Sequence, residues 1–162
     1  MADRLCMGCM EVYEDKYDIC PYCGYKEGAP AKEAIHLAPG TVIVNKYIVG
    51  QFIGNGGFGV TYIGWDAVLN QKIAIKEYLP SEFSTRAMGV SNVTIFTGQK
   101  EEQFLSGVNK FMDEARRLAK FKGVSGIVDI HDTFQANNTA YIIMEYIDGE
   151  TLKERLEREG KI

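Results

Sequence analysis

The chain has 162 residues, 46% hydrophobic and 25% charged, a composition that suits one ordinary globular domain, or a small domain beside a metal-stapled module. Its net charge of −4 argues against nucleic acid as the main partner, because a phosphate-tracking surface needs a basic face. No apolar run approaches the ~20 residues needed to span a bilayer. The start, Met1-Ala2-Asp3-Arg4-Leu5-Cys6, has no hydrophobic signal core, so a cytoplasmic, thiol-reducing setting is expected.

The first feature in chain order is a pair of Cys-x-x-Cys motifs, Cys6 with Cys9 and Cys20 with Cys23, and these are all the cysteines present. Each pair can set two thiolates on one side of a tight turn, and two facing knuckles make a tetrahedral site for Zn2+. Pro21 sets the second turn, and Gly24 can take the left-handed conformation that brings backbone amides to the sulfur. Residues 1–27 therefore resemble a zinc ribbon, with the metal supplying stability that a module of ~25 residues cannot draw from a core. Two disulfides, free thiols or a rubredoxin-like iron site are the competing readings of the same spacing. Such a ribbon docks on a neighbouring domain or recruits a protein partner. Lys16 and Lys26 stand among Glu11, Glu14, Asp15, Asp18 and Glu27, which speaks against a ribbon that binds nucleic acid.

Lys26 to Gly40 comes next, with Gly28, Pro30, Ala29, Ala31, Ala34 and a terminal Pro39-Gly40. It reads as a linker, residues 28–43 in the domain division, with Ile35, His36 and Leu37 placed to pack on the next domain. His36 and His131 lie apart from the cysteines and read as packing or surface residues.

Residues 44–162 form the main domain. Tyr47–Ile53 and Val60–Trp65 are β-rich runs, and between them lies Gly54-Asn55-Gly56-Gly57-Phe58-Gly59, a G-x-G-x-x-G string. In a dinucleotide-binding fold such glycines open a helix. Here the chain leaves as a strand, so they form a β-hairpin tip that can fold over a triphosphate and offer backbone amides to its oxygens. Phe58 could cap the phosphates and Val60 lie on an adenine face; an unliganded flexible hairpin is the competing reading. On the next strand Ile73 and Ile75 take one face, Ala74 and Lys76 the other, where the small Ala74 leaves room for a ligand.

With this strand the sequence resembles the eukaryotic-like, bacterial-type Ser/Thr protein kinases. Their Val-Ala-Ile-Lys strand appears as Ile73-Ala74-Ile75-Lys76 behind a glycine loop, and Lys76-Glu77-Tyr78-Leu79-Pro80 is typical of the bacterial members. The resemblance implies that Lys76 holds the α- and β-phosphates of ATP, with Ile53, Gly54, Asn55, Gly56, Gly57, Phe58, Gly59, Val60 and Ala74 around the nucleotide. A solvated edge lysine is the bland alternative. The stretch from Glu77 to Asp113 exceeds the family's usual link, and within it Val90–Phe96 alternates as a strand or hairpin would.

Phe104, Val108, Phe111, Ala115 and Leu118 then recur at helical spacing, with Gly107 as an interruption at which the helix could begin. Glu114, three residues after Phe111 and four before Leu118, is expected to share the buried flank of that helix, and Phe111-Met112-Asp113-Glu114-Ala115 is similar to the family's Phe-x-x-Glu-Ala pattern. That implies an ion pair between Glu114 and Lys76; a solvated helix glutamate is the alternative. Two strands, Ile127–Phe134 and Thr139–Tyr146, flank an Ala136-Asn137-Asn138 turn. Tyr141–Leu152 is similar to a kinase hinge, with Met144 as gatekeeper and the backbones of Glu145 and Ile147 on adenine. Thr151 falls where many kinases place a ribose-binding carboxylate, and Asp148 or Glu150 could substitute. Leu152–Glu159 begins a further helix.

The expected fold is α+β: a zinc ribbon, then a protein-kinase N-terminal lobe of five antiparallel strands and one large helix. No His-Arg-Asp or Asp-Phe-Gly motif occurs in these residues. The Mg2+ ligands of the family would therefore lie outside them, and the reading is a truncated lobe, inactive alone, of a kinase acting on protein hydroxyls. A pseudokinase or signalling scaffold is the reading from another class, and the intact Lys76 and Glu114 count against it. The protein substrate is not legible.

Overall fold

The computed structural model of the chain describes residues 3–29, 31, 35–56, 59–87, 90–121 and 129–146. It begins with a two-stranded hairpin, β1 (Asp3–Leu5) and β2 (Val12–Glu14), that carries the first cysteine pair in its loop. The long strands of the main sheet are β4 (Tyr47–Gly56), β5 (Gly59–Asp66), β6 (Gln71–Tyr78), β9 (Ile130–Ala136) and β10 (Thr139–Glu145), the five expected. The two-residue β3 (Val42–Ile43) pairs beside β4 as a sixth. The sheet is antiparallel, in the order β3-β4-β5-β6-β10-β9.

The hairpins close as their sequences dictate. Asn137 and Asn138 between β9 and β10 both take positive φ, 51° and 64°, the pair of left-handed residues that a tight primed turn needs. Between β5 and β6, Asp66 Oδ1 accepts the amides of Val68 and Leu69 at 2.9 and 3.0 Å, an Asx turn. Between β6 and the helix, β7 (Ser84–Thr85) and β8 (Thr94–Ile95) form a small hairpin, so the alternating Val90–Phe96 run supplies one short strand. Asn138 Nδ2 donates to the Val93 carbonyl at 3.0 Å, and Val93 donates its amide to Asn137 O at 2.8 Å. These bonds tie the segment to the β9–β10 turn.

The helix α1 runs unbroken from Gln99 to Ala119 and buries Phe104, Val108, Phe111, Met112 and Ala115. Two expectations are corrected here. Gly107 lies inside the helix and does not start it; Tyr78 of β6 occupies the space a side chain there would fill, which accounts for a glycine within the helix. Glu114 is exposed, because Met112 is buried while Leu118 is half-exposed. At about 100° per residue this turns the buried stripe away from Glu114.

Outside the strands, the sheet is backed by the segment that precedes β3, which was expected to be a linker. Leu37 is buried against it, its amide donating to Tyr62 Oη at 3.0 Å, and the ring of His36 stacks on Phe52 at 4.3 Å. Ile35 joins the same hydrophobic cluster, so the three linker residues pack as their composition suggested. Residues 122–128, 147–162 and the glycine-hairpin tip at 57–58 lie outside the described residues, and with them the expected helix at Leu152–Glu159.

Candidate nucleotide face and cysteine cluster

Cross-strand partners share a face of the sheet. Lys76 pairs with Thr61 on β5 and Ile142 on β10, and Ala74 pairs with Ile63 and Met144. Lys76, Ala74, Thr61 and Met144 are thereby gathered on one face, at the end of the sheet where β4 and β5 close the glycine hairpin through the Gly56–Gly59 pair. Gly54 and Asn55 pair with Thr61 and Val60 in that hairpin, immediately after Ile53. Gly57 and Phe58 at its tip, and Ile147 and Thr151 beyond the hinge strand, fall outside the described residues.

The register separates two residues that the sequence reading grouped. Val60 pairs with Glu77 and so lies on the face opposite Lys76, in the hydrophobic cluster, where it is buried. Thr61 takes the position beside the lysine. Counting on from Gly59 in steps of two along the strand was the signal that would have found it.

Lys76 is half-buried, its ammonium 5.9 Å from the centre of the Phe111 ring on α1. Burial lowers its pKa below the ordinary lysine value, and the charge of Glu114 works in the opposite direction. Helix and strand therefore bring the two expected partners into electrostatic range. Among the described residues they are not in direct ion-pair contact. Met144 is buried beside Ala74, and Glu145 beyond it donates its amide to Asp129 O at 2.9 Å while its side chain accepts the Asp129 amide at 3.1 Å.

The opposite face holds a polar cluster that sequence reasoning missed. Glu77, next to Lys76, is fully buried and accepts from Tyr62 Oη and Arg86 Nη1 at 2.9 Å on one oxygen. Its other oxygen takes Arg86 Nη2 and Tyr141 Oη at 2.6 Å. Arg86 also donates to the carbonyls of Ile35 and Ser91, at 2.9 and 3.0 Å. A charge with no exit to water must find partners, and here one guanidinium serves the sheet, the linker and the β7–β8 segment together. Burial raises the pKa of Tyr62 and Tyr141, and the Glu77 carboxylate adds to it, so both phenols stay protonated and donate.

The four cysteines come together at the other end of the chain. Their sulfurs all lie within 4.8 Å of one another, with Cys6 to Cys23 at 3.6 Å and Cys9 to Cys20 at 3.8 Å. That is far beyond a disulfide bond of ~2.0 Å. It matches the ~3.8 Å edge of a tetrahedron of thiolates ~2.3 Å from its centre, so the donor set fits a tetrahedral metal ion. The knuckles repeat one design. Gly8 donates its amide to Cys6 Sγ at 3.2 Å and Tyr22 donates to Cys20 Sγ at 3.4 Å. Met10 and Gly24, each just past a pair, take positive φ of 60° and 84°, as expected for Gly24.

The first knuckle rests on β4. Gln51 donates its amide to Met7 O at 2.8 Å and its side-chain nitrogen to Gly8 O at 3.4 Å. A Cβ on Gly50 would strike the Met7 carbonyl and the Met10 methyl, so only glycine allows this approach. The β4–β5 register shifts between Val49 and Phe52, at that same point. Lys72 of β6 adds an ion pair with Glu11 at 2.8 Å.

Comparison with known proteins agrees with this geometry. The protein kinase domain family matches residues 47–162. A probable serine/threonine-protein kinase of Clostridium acetobutylicum is 36% identical over 123 residues, 76% of this chain and 16% of that protein. The serine/threonine-protein kinase PknG of Mycolicibacterium smegmatis is 26% identical over 140 residues, 83% of this chain and 15% of that protein. In three dimensions the solved apo form of PpkA-294 superposes with a TM-score of 0.67 at 31% identity, over 77% of this chain and 43% of that one. The chain belongs to the protein kinase family, and its six-stranded sheet and helix α1 are the family's N-terminal lobe. It spans about one-sixth of the length of the curated relatives named here.

Proposed function

We propose that the chain is the ATP-binding lobe of a protein serine/threonine kinase, which transfers the γ-phosphate of ATP to protein hydroxyls. The observation that carries this reading is the register that gathers Lys76, Ala74, Thr61 and Met144 on one face beside the glycine hairpin, with α1 bringing Glu114 towards the lysine. Lys76 is the cation for the α- and β-phosphates, and Glu114 holds it in position. The hairpin residues 54–59 cover the phosphates with backbone amides. Ile53, Ala74 and Met144 border the base, with Thr61 in the place first expected for Val60. The backbones of Glu145 and Ile147 hydrogen-bond adenine, and Thr151 lies near the ribose. Bound Mg2+ neutralises charge on the transferring phosphates, through ligands that these 162 residues do not supply. The same reasoning makes this lobe inactive by itself.

Residues 1–27 are read as a zinc ribbon, 28–43 as its linker and 44–162 as the lobe. Zinc is the metal that a tetrahedral set of four cysteine thiolates selects in a reduced setting. The ribbon's surface away from β4 is open to a protein partner. The kinase reading is tested by phosphate transfer from labelled Mg-ATP to a protein substrate by the full-length protein and its Lys76→Ala variant. Transfer that vanishes in the variant supports the reading; transfer that survives refutes the role of Lys76.

A further inference from the structure

Gly107 is the ninth residue of a helix of 21, where glycine costs about 1 kcal/mol against alanine. The space a side chain would need is already taken. A Cβ built at Gly107 would overlap the Tyr78 hydroxyl and stand 2.7 Å from ring carbon Cζ and 3.3 Å from Cε1. Tyr78 cannot swing aside, because it is 1% exposed and its ring packs against Phe104 at 5.0 Å and Phe111 at 5.4 Å. Those two residues stand one helical turn before and after Gly107, so the phenol seats in a notch between them.

Both ends of this contact are tied to the proposed nucleotide face. Tyr78 lies two residues beyond Lys76 on the same strand and so points to the same side of the sheet. Its own backbone is fixed, pairing with Gly59 of the glycine hairpin and accepting Thr139 Oγ1 at 2.5 Å. Glu114 lies seven residues beyond Gly107, about two turns, which returns it to within ~20° of the same side of the helix. Whichever side of α1 carries the notch against β6 therefore also carries Glu114 towards β6. This accounts for an exposed glutamate, off the buried stripe, still acting on Lys76.

We infer that Gly107 and Tyr78 form the register pin of the lobe, a pair of positioning residues that fixes α1 along and around β6 so that Glu114 faces Lys76. Neither residue touches substrate; they act through Glu114. A slip of one turn would displace the glutamate by ~5.4 Å. A methyl group at 107 has to lift the helix off the strand, because both neighbours of the Tyr78 ring are large and buried.

The inference rests on the proposed Lys76–Glu114 pair, and a double-mutant cycle separates the two. In the full-length protein, kcat/KM for ATP is measured for Gly107→Ala, Glu114→Gln and the double variant. Each single change is expected to lower it, Gly107→Ala by about a hundredfold. The double variant should be no worse than Glu114→Gln alone, since a mispositioned glutamate and a missing one are the same defect. Losses that multiply, or a silent Gly107→Ala, overturn the pin while leaving the Lys76–Glu114 reading in place. A silent Glu114→Gln overturns that reading and the pin with it. Should Gly107→Ala lower the melting temperature so far that kinetics cannot be read, Tyr78→Leu empties the notch without crowding it, and the same cycle is run on that variant. Adding Gly107→Ala to Tyr78→Leu refills the space and is expected to recover activity; no recovery counts against the pin.

Discussion

Lys76 carries a charge whose cost is set by its surroundings. Burial lowers its pKa from 10.5, and Glu114 offsets part of that shift. Because the folded value lies below the ordinary one, raising the pH removes the ammonium earlier than in a free lysine, and ATP affinity should fall as pH rises through that value. Glu114→Gln removes the influence that holds the value up, so the alkaline fall should move to lower pH. ATP affinity measured against pH for both proteins checks this, and an unmoved limb would contradict it. On the other face, Arg86→Met leaves Glu77 buried with its two tyrosines but no cation. A loss of about 3–5 kcal/mol is expected for removing one partner of a buried pair, read as a shift of the urea midpoint. A loss below ~1 kcal/mol, the size of an exposed pair, would contradict the buried network.

The elements were legible to different degrees, and for physical reasons. Strands β4, β5 and β10 announce themselves by runs of β-branched and aromatic residues, β6 by the alternation of Ile73 and Ile75 with Ala74 and Lys76, and the glycine hairpin by the β-branched and aromatic residues after Gly59. Helix α1 was visible as a stripe, but its rotation was not. Leu118 and Met112 are equally apolar on paper, and only packing decides that Met112 goes in. Gly107 looked like a helix boundary because propensity alone sees the missing side chain and cannot see the Tyr78 ring that requires it. The Glu77–Arg86 pair was hidden for a similar reason: Glu77 lies on β6 and Arg86 nine residues on, just past β7, and nothing local marks them as partners. Val60 was misplaced for a simpler reason, an overlooked step of strand parity. The ribbon's cysteines were plain from their spacing, whereas its seat on β4 depends on Gly50, whose meaning emerges only in three dimensions. That seat gives a testable consequence. If the four cysteines hold zinc as proposed, a chelator should loosen the first knuckle and free the Gln51 amide. Hydrogen exchange at Gln51 should then rise while β5 and β6 stay protected. Unchanged exchange at Gln51 would mean that the knuckle holds β4 without its metal.

Among the described residues, the six-stranded sheet has three coverings: α1 against the Lys76 face, the segment at Ile35 and the β7–β8 segment around Glu77, and the cysteine hairpin along β4. The first belongs to the kinase family at large, and the other two use residues before and within the family's matched span. Glu77 and Lys76, adjacent on β6, point to opposite sides, so one strand joins the buried anchor of the extra segments to the proposed phosphate contact. The proposed role of the Lys76 face is to hold the phosphates of ATP. It is tested most directly by titration calorimetry of ATP and of adenosine against the protein and its Lys76→Ala variant. The variant is expected to lose affinity for ATP and keep its affinity for adenosine, because the lysine meets only the phosphates. Equal losses for both ligands, or an unchanged ATP affinity, would contradict it.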